Sequence, residues 1–105
     1  MKIIQLTRGF IDYDKNPNKA GSFGPYDKGR EAVFEIYQNG DNEPIRVRFF
    51  ISFLHRMENA TSPLDEDELF GDAKKILQSY EGKELKTKDL LYLYNFSTQE
   101  FHLLE

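Results

Sequence analysis

Several fragments of this chain carry residue types that could do chemistry, and their spacing tests each one. Gly24-Pro25-Tyr26-Asp27-Lys28-Gly29-Arg30-Glu31 has the glycine spacing of a phosphate-binding loop. Such a loop needs Lys and Ser or Thr after its second glycine to reach phosphate and magnesium; Arg30 and Glu31 stand there instead. It also leads into a strand pattern, so no helix terminus faces an anion. Asp12-Tyr13-Asp14-Lys15-Asn16 opens like a calcium-binding loop, but Pro17 and Phe23 occupy the positions that require Gly and a bidentate Glu.

Asp65 followed by Glu84-Leu85-Lys86 offers the ligand types of a metal-dependent nuclease. The expected helix after Asp65 would separate these carboxylates by its own length, so they do not converge on one ion. His55 and His102 lie in no metal-ligand spacing, and Ser52 with His55 has no orienting acid for a nucleophilic triad. The chain has no cysteine, which removes disulfides, thiolate metal sites and Cys nucleophiles together. The sequence therefore predicts no catalytic residue, no metal ligand and no cofactor. An enzyme whose site has no familiar signature remains the second alternative.

Binding chemistry is better represented. Residues 14–29, DKNPNKAGSFGPYDKG, have no apolar period and place Phe23 and Tyr26 among glycines and prolines. A loop of that length in a small domain is usually functional or disordered. Binding hot spots favour aromatic residues and arginine, which singles out Phe23, Tyr26, Arg30 and Phe50 as the candidate partner-binding set. Phe50 enters because it shares a strand face with Arg46 and Arg48 and has no evident apolar partner there. The acidic run Asp65–Glu68 is explained by a helix start and could also steer a basic partner. Strand 45–54 alternates basic and aromatic residues as single-stranded nucleic-acid platforms do, and that is the first alternative function. The net charge of −4 argues against it, because phosphate binding needs a basic surface.

The elements that must position these residues follow from hydrophobic period. Residues 2–13 read as a strand, with Ile4, Leu6 and Phe10 on one face, Ile3, Ile11 and Tyr13 on the other, and a bulge expected at Gly9. Residues 30–38 and 43–54 flank Asn39-Gly40-Asp41-Asn42, a hairpin signal. Pairing Gln38 with Glu43 sets Ile36 opposite Ile45, Phe34 opposite Val47 and Ala32 opposite Phe49. The other face then sets Glu35 opposite Arg46, with Arg48 diagonal to Glu31 and Glu35. A one-residue slip breaks both patterns.

Ser62-Pro63-Leu64-Asp65 predicts a capped helix start. Leu69, Phe70, Ala73, Ile76, Leu77 and Tyr80 form its apolar stripe, and Gly82 is expected to end it. Gly71 suggests a close approach to the sheet. Residues 89–104 read as a hairpin turning at Ser97-Thr98, pairing Tyr94 with Phe101 and Tyr92 with Leu103. Residues 90–96 are apolar on both faces, as a dimer surface or an unpaired edge would be.

The expected fold is α+β: an antiparallel sheet of about five strands in the order β-loop-ββ-α-ββ, with one helix packed on one face. The 105 residues fit a single domain, 1–105, containing the loop 14–29. No run is long and apolar enough to span a bilayer, and the amino terminus lacks a secretory signal, so the expected location is cytoplasmic. The expected function is a non-catalytic protein-interaction module of the inhibitor, immunity or adaptor type, with a protein partner, no membrane, and homodimerisation as a further option.

Overall fold

The computed structural model describes residues 1–12, 28–38, 43–52, 65–83 and 89–104. The elements are β1 (Lys2–Asp12), β2 (Lys28–Tyr37), β3 (Ile45–Ser52), α1 (Glu66–Gln78), β4 (Asp89–Asn95) and β5 (Glu100–Leu104). The strands form one five-stranded sheet in chain order, β1-β2-β3-β4-β5. The α+β class therefore holds. Residues 13–27, 39–42, 53–64, 84–88 and 105 lie outside the described residues, and with them Phe23, Tyr26, His55, the expected turn, the Ser62-Pro63 cap and Glu84-Leu85-Lys86.

The hairpin registers follow the residue patterns. Ile36 pairs with Ile45, Phe34 with Val47, Ala32 with Phe49 and Glu35 with Arg46. Tyr94 pairs with Phe101 and Tyr92 with Leu103, so residues 89–104 are a hairpin rather than a helix. Its turn uses Asn95, whose carboxamide oxygen accepts from the backbone N–H groups of Ser97 (2.9 Å) and Thr98 (3.1 Å).

One sheet pairing departs from expectation. β3 and β4 run parallel, Phe49 beside Tyr92 and Phe50 beside Leu93, so the sheet is mixed rather than purely antiparallel. Parallel neighbours need a crossover of a dozen or more residues, usually helical, and α1 supplies it between them. The apolar character of β4 on both sides matches its burial on both. Leu90, Tyr92 and Tyr94 belong to the main core, while Leu91 and Leu93 pack with Phe50 on the other side. The edges are β1 and β5, so residues 90–96 do not form an unpaired edge.

Two local details of β1 and α1 also differ. The bulge lies between Gln5 and Thr7, not at Gly9. Leu6 is the extra residue, and it switches faces: Ile3 packs on the main core, and Ile11 on the Phe50 cluster. The cap of α1 is Asp65 rather than Ser62; its carboxylate accepts from the Glu68 backbone N–H at 3.1 Å. At the far end the helix stops at Gln78, before Gly82, which takes φ +78° in the turn beyond.

The core grows from alternate residues of the central strands. Phe49 stacks on Tyr92 at 4.9 Å between centroids and meets Phe34 (5.7 Å) and Phe101 (5.1 Å) edge-on. Phe70, Ala73 and Leu77 of α1 belong to this same cluster. Beyond the helix, the Tyr80 and Tyr92 hydroxyls share a hydrogen bond, and burial, more than that bond, pushes the Tyr92 phenol up.

Two glycines act in opposite ways. Gly29, expected in the loop, is the second residue of β2. A methyl group there would collide with the Ile51 carbonyl oxygen and stand 2.9 Å from two Phe50 ring carbons. Gly29→Ala is therefore expected to destabilise by about 2 kcal/mol or more through overpacking. Gly71 is exposed in α1, with nothing within 4 Å of an added methyl, so no close approach to the sheet explains it. Gly71→Ala should stabilise by about 1 kcal/mol, raising the thermal midpoint by roughly 4 °C. Thermal denaturation of the two variants beside wild type checks both signs.

Candidate functional site

Strand alternation gives the sheet two chemically different faces. Directly paired residues share a face, so Arg8, Ala32 and Phe49 lie on one, and Thr7, Val33, Arg48 and Leu91 on the other. The Phe34 face carries the main core and two ion pairs to the first turn of α1. Arg8 Nη2 is 2.5 Å from Asp67 Oδ1, and its guanidinium lies 4.9 Å from the Phe70 ring centroid. Arg30 Nε donates to Glu66 Oε2 at 3.1 Å. The acidic run thus has local work: Asp65 caps, while Glu66 and Asp67 meet arginines from β2 and β1.

The opposite face holds a polar cleft of about 430 Å³ across β1 to β4, lined by Leu6, Thr7, Glu31, Val33, Arg46, Arg48 and Asp89. A smaller one of about 220 Å³ runs along β1 beside it, lined by Thr7, Arg8, Gly9, Phe10, Ile11 and again Glu31. Glu31 is the group they share. It is only 4% exposed, and its Oε2 has no hydrogen-bond partner among the described residues. Burial is the larger influence on this carboxyl and raises it to about 7; Arg48 opposes the shift. Further along, Glu35 lies 3.7 Å from Arg46 and accepts from the Tyr37 hydroxyl at 2.9 Å.

A carboxyl poised near neutrality in a cleft can accept a donor when ionised, donate when protonated, or move a proton between those states. Among the described residues no group of His, Asp or Glu is arranged to hold a metal. His102 is exposed on β5, with Nε2 2.8 Å from Thr98 Oγ1. No helix among the described residues is long and apolar enough to cross a membrane.

The sequence-derived contact residues do not converge on this cleft. Arg30 pairs with Ile51 across the sheet and reaches Glu66, so it lies on the Phe34 face. Phe50 pairs with Glu31 and lies on the other face. It is fully buried, packed with Leu91, Leu93 and Ile11. The C-terminal hairpin that could have covered it does so through β4. Phe23 and Tyr26 fall outside the described residues. Sequence reasoning read Glu31 as a cross-strand neighbour of Arg48 and missed its burial. Its signal was there: a lone acid between Gly29 and Val33 on the face of Phe50.

Glu31 makes stability depend on pH with a definite sign. Its ordinary value is 4.5, against about 7 in the folded chain. Between those limits the folded state keeps a proton that the unfolded state has released, so stability falls as pH rises and levels off above the window. The fall should be on the order of 2 kcal/mol, reduced by solvent at the cleft mouth. Glu31→Gln is expected to flatten that slope and to be more stable than wild type above neutrality. Urea midpoints across the window check it, and an unchanged slope in the variant would assign the pH dependence elsewhere.

Comparison with known proteins adds no relative to this geometry: no family model matches the chain, and no curated protein or solved structure matches it.

Proposed function

We propose that this chain is a small cytoplasmic, non-catalytic protein-binding module, with α1 against one face of its sheet and a contact surface along β1 and the segment that follows it. The observation that carries this reading is the exposure of two large apolar side chains on an edge strand. Leu6 is 43% and Phe10 57% exposed. Strand β1 runs directly into the segment bearing Phe23 and Tyr26, and Arg30 stands at the start of the strand by which the chain returns. Aromatic residues beside an arginine are the composition of binding hot spots. An edge strand also offers unpaired backbone groups to a partner. Phe50 supports this surface from below as a packing residue.

The nucleic-acid alternative rests on Arg46, Arg48 and Phe50. Base stacking needs an accessible ring, and Phe50 is fully buried while Glu31, Glu35 and Asp89 accompany the two arginines. The interaction reading therefore has the better support.

Two alanine pairs test it, Leu6→Ala with Phe10→Ala and Phe23→Ala with Tyr26→Ala. Each is expected to leave the thermal midpoint within about 3 °C of wild type, as for surface positions. Each should also abolish capture of the protein that wild type enriches from host lysate, measured by quantitative mass spectrometry. Unfolding of either pair would identify those side chains as core and defeat the proposal. Light scattering separates a second copy of this chain from a different partner. Salt-sensitive binding of short single-stranded DNA or RNA in fluorescence anisotropy would replace the proposal with the nucleic-acid reading.

A further inference from the structure

The two edges of the sheet are guarded differently. Unpaired backbone groups on an edge strand invite another strand, and proteins blunt such edges with bulges, lysines or prolines. β1 carries Lys2 and the bulge at Leu6. β5, Glu100 to Leu104, has none of these and pairs with β4 over its whole length without a shift of register. Among the described residues no strand lies on its outer side. Its shortness is its main safeguard.

An apolar groove stands beside this edge. Strand alternation puts Phe101 and Leu103 on the helix face, across from Tyr94 and Tyr92 of β4. Phe101 is buried there, whereas Leu103 is 41% exposed. Between the start of β5 and α1 lies a groove of about 350 Å³, lined by Leu69 and Ile76 of the helix and Tyr94 and Phe101 of the sheet. Of the charged groups at its rim, Asp72 meets Lys75 at 3.6 Å and Glu100 meets His102 at 3.5 Å.

The chain presents a side chain for that groove at the matching offset. When two β5 strands meet antiparallel about a twofold axis at His102, all five residues of each find a partner. Phe101 then lies across from Leu103 of the second copy, which brings that leucine to the helix face beside the groove. The axis repeats the contact, so each copy gives one leucine and receives one. The next symmetric registers, two residues away, keep three pairs instead of five and part Leu103 from Phe101. We propose that this chain forms a symmetric dimer in which β5 pairs with β5 of a second copy, Leu103 of each seated against Phe101 and the groove of the other.

Five residues a side span roughly 17 Å of strand. A standard interface engages about 20–30 residues a side, so this dimer is weak, with a dissociation constant in the upper micromolar range. The dimer uses the edge opposite β1, so this proposal and the β1 contact surface stand or fall separately. Sedimentation equilibrium of the full chain from about 10 µM to 1 mM should show the mass climbing from 12.3 kDa toward twice that value. Leu103→Glu should keep the monomer mass throughout, with an unchanged thermal midpoint. His102→Glu and His102→Lys each set like charges across the axis and weaken association. Mixed in equal amounts, the two should associate about tenfold more tightly than either alone, because opposite charges then face each other. Leu6→Ala with Phe10→Ala should dimerise as wild type does.

A monomer still present alone at 1 mM would overturn the proposal, as would wild-type association in Leu103→Glu. A mass that climbs past the dimer would replace it with open pairing of β5 on β1. Loss of the dimer in the Leu6 and Phe10 variant would move the contact to β1 and defeat it equally. Should Leu103→Glu fold poorly, the His102 mixture decides: association no tighter than in the separate variants rules out an axis at His102.

Discussion

The pairing of β2 with β3 is the constraint on which the rest of this structure depends. Its register sets Ala32, Phe34 and Ile36 against Phe49, Val47 and Ile45, which gives the core its floor. By the same alternation it sends Glu31, Val33 and Glu35 to the opposite face with Phe50, Arg48 and Arg46. A slip of one residue in β3 would carry Arg46 and Arg48 into the core and Ile45, Val47 and Phe49 out of it, so both faces select the same alignment. Gly29 extends the pairing to the start of β2, where the Ile51 carbonyl and the Phe50 ring leave no room for a side chain.

From that pairing the two faces acquire separate roles. On the Phe34 face, Arg8 and Arg30 meet acids in the first turn of α1, beside the apolar contacts of Phe70, Ala73 and Leu77. Partly exposed ion pairs contribute little free energy by themselves. Their geometry nevertheless ties the start of the helix to particular strands, while the aromatic cluster around Phe49 supplies the burial. On the other face, charge is arranged around a cleft rather than against a helix. There a carboxyl is held near neutrality because burial outweighs the pull of one guanidinium. The bulge at Leu6 connects the two, turning β1 so that Ile3 serves one cluster and Ile11 the other.

Much of this was legible in the residues. Both hairpin registers, the helix and the strand count follow from period and turn chemistry, because adjacent strands interact through patterns that lie close together in the chain. The parallel β3–β4 pairing was not legible. A both-faced apolar strand is consistent with an edge, a dimer surface or the interior of a crossover unit, and its neighbour is chosen across 36 intervening residues. The cap at Asp65 and the bulge at Leu6 were missed for a smaller reason. By residue type Ser62-Pro63 and Gly9 are the stronger local signals.

The residues that could do chemistry divide in the same way. Sequence alone determined which signatures fail: the loop ending at Arg30-Glu31 cannot cradle a phosphate, and the chain has no cysteine to act as a ligand or nucleophile. Those conclusions rest on side-chain type and spacing, which folding does not change. Only the tertiary structure decided that Arg30 answers Glu66, that Phe50 is interior, and that Glu31 Oε2 has no donor among the described residues. Each depends on burial and on the partner across a strand, and burial is a property of the assembled sheet rather than of any one segment.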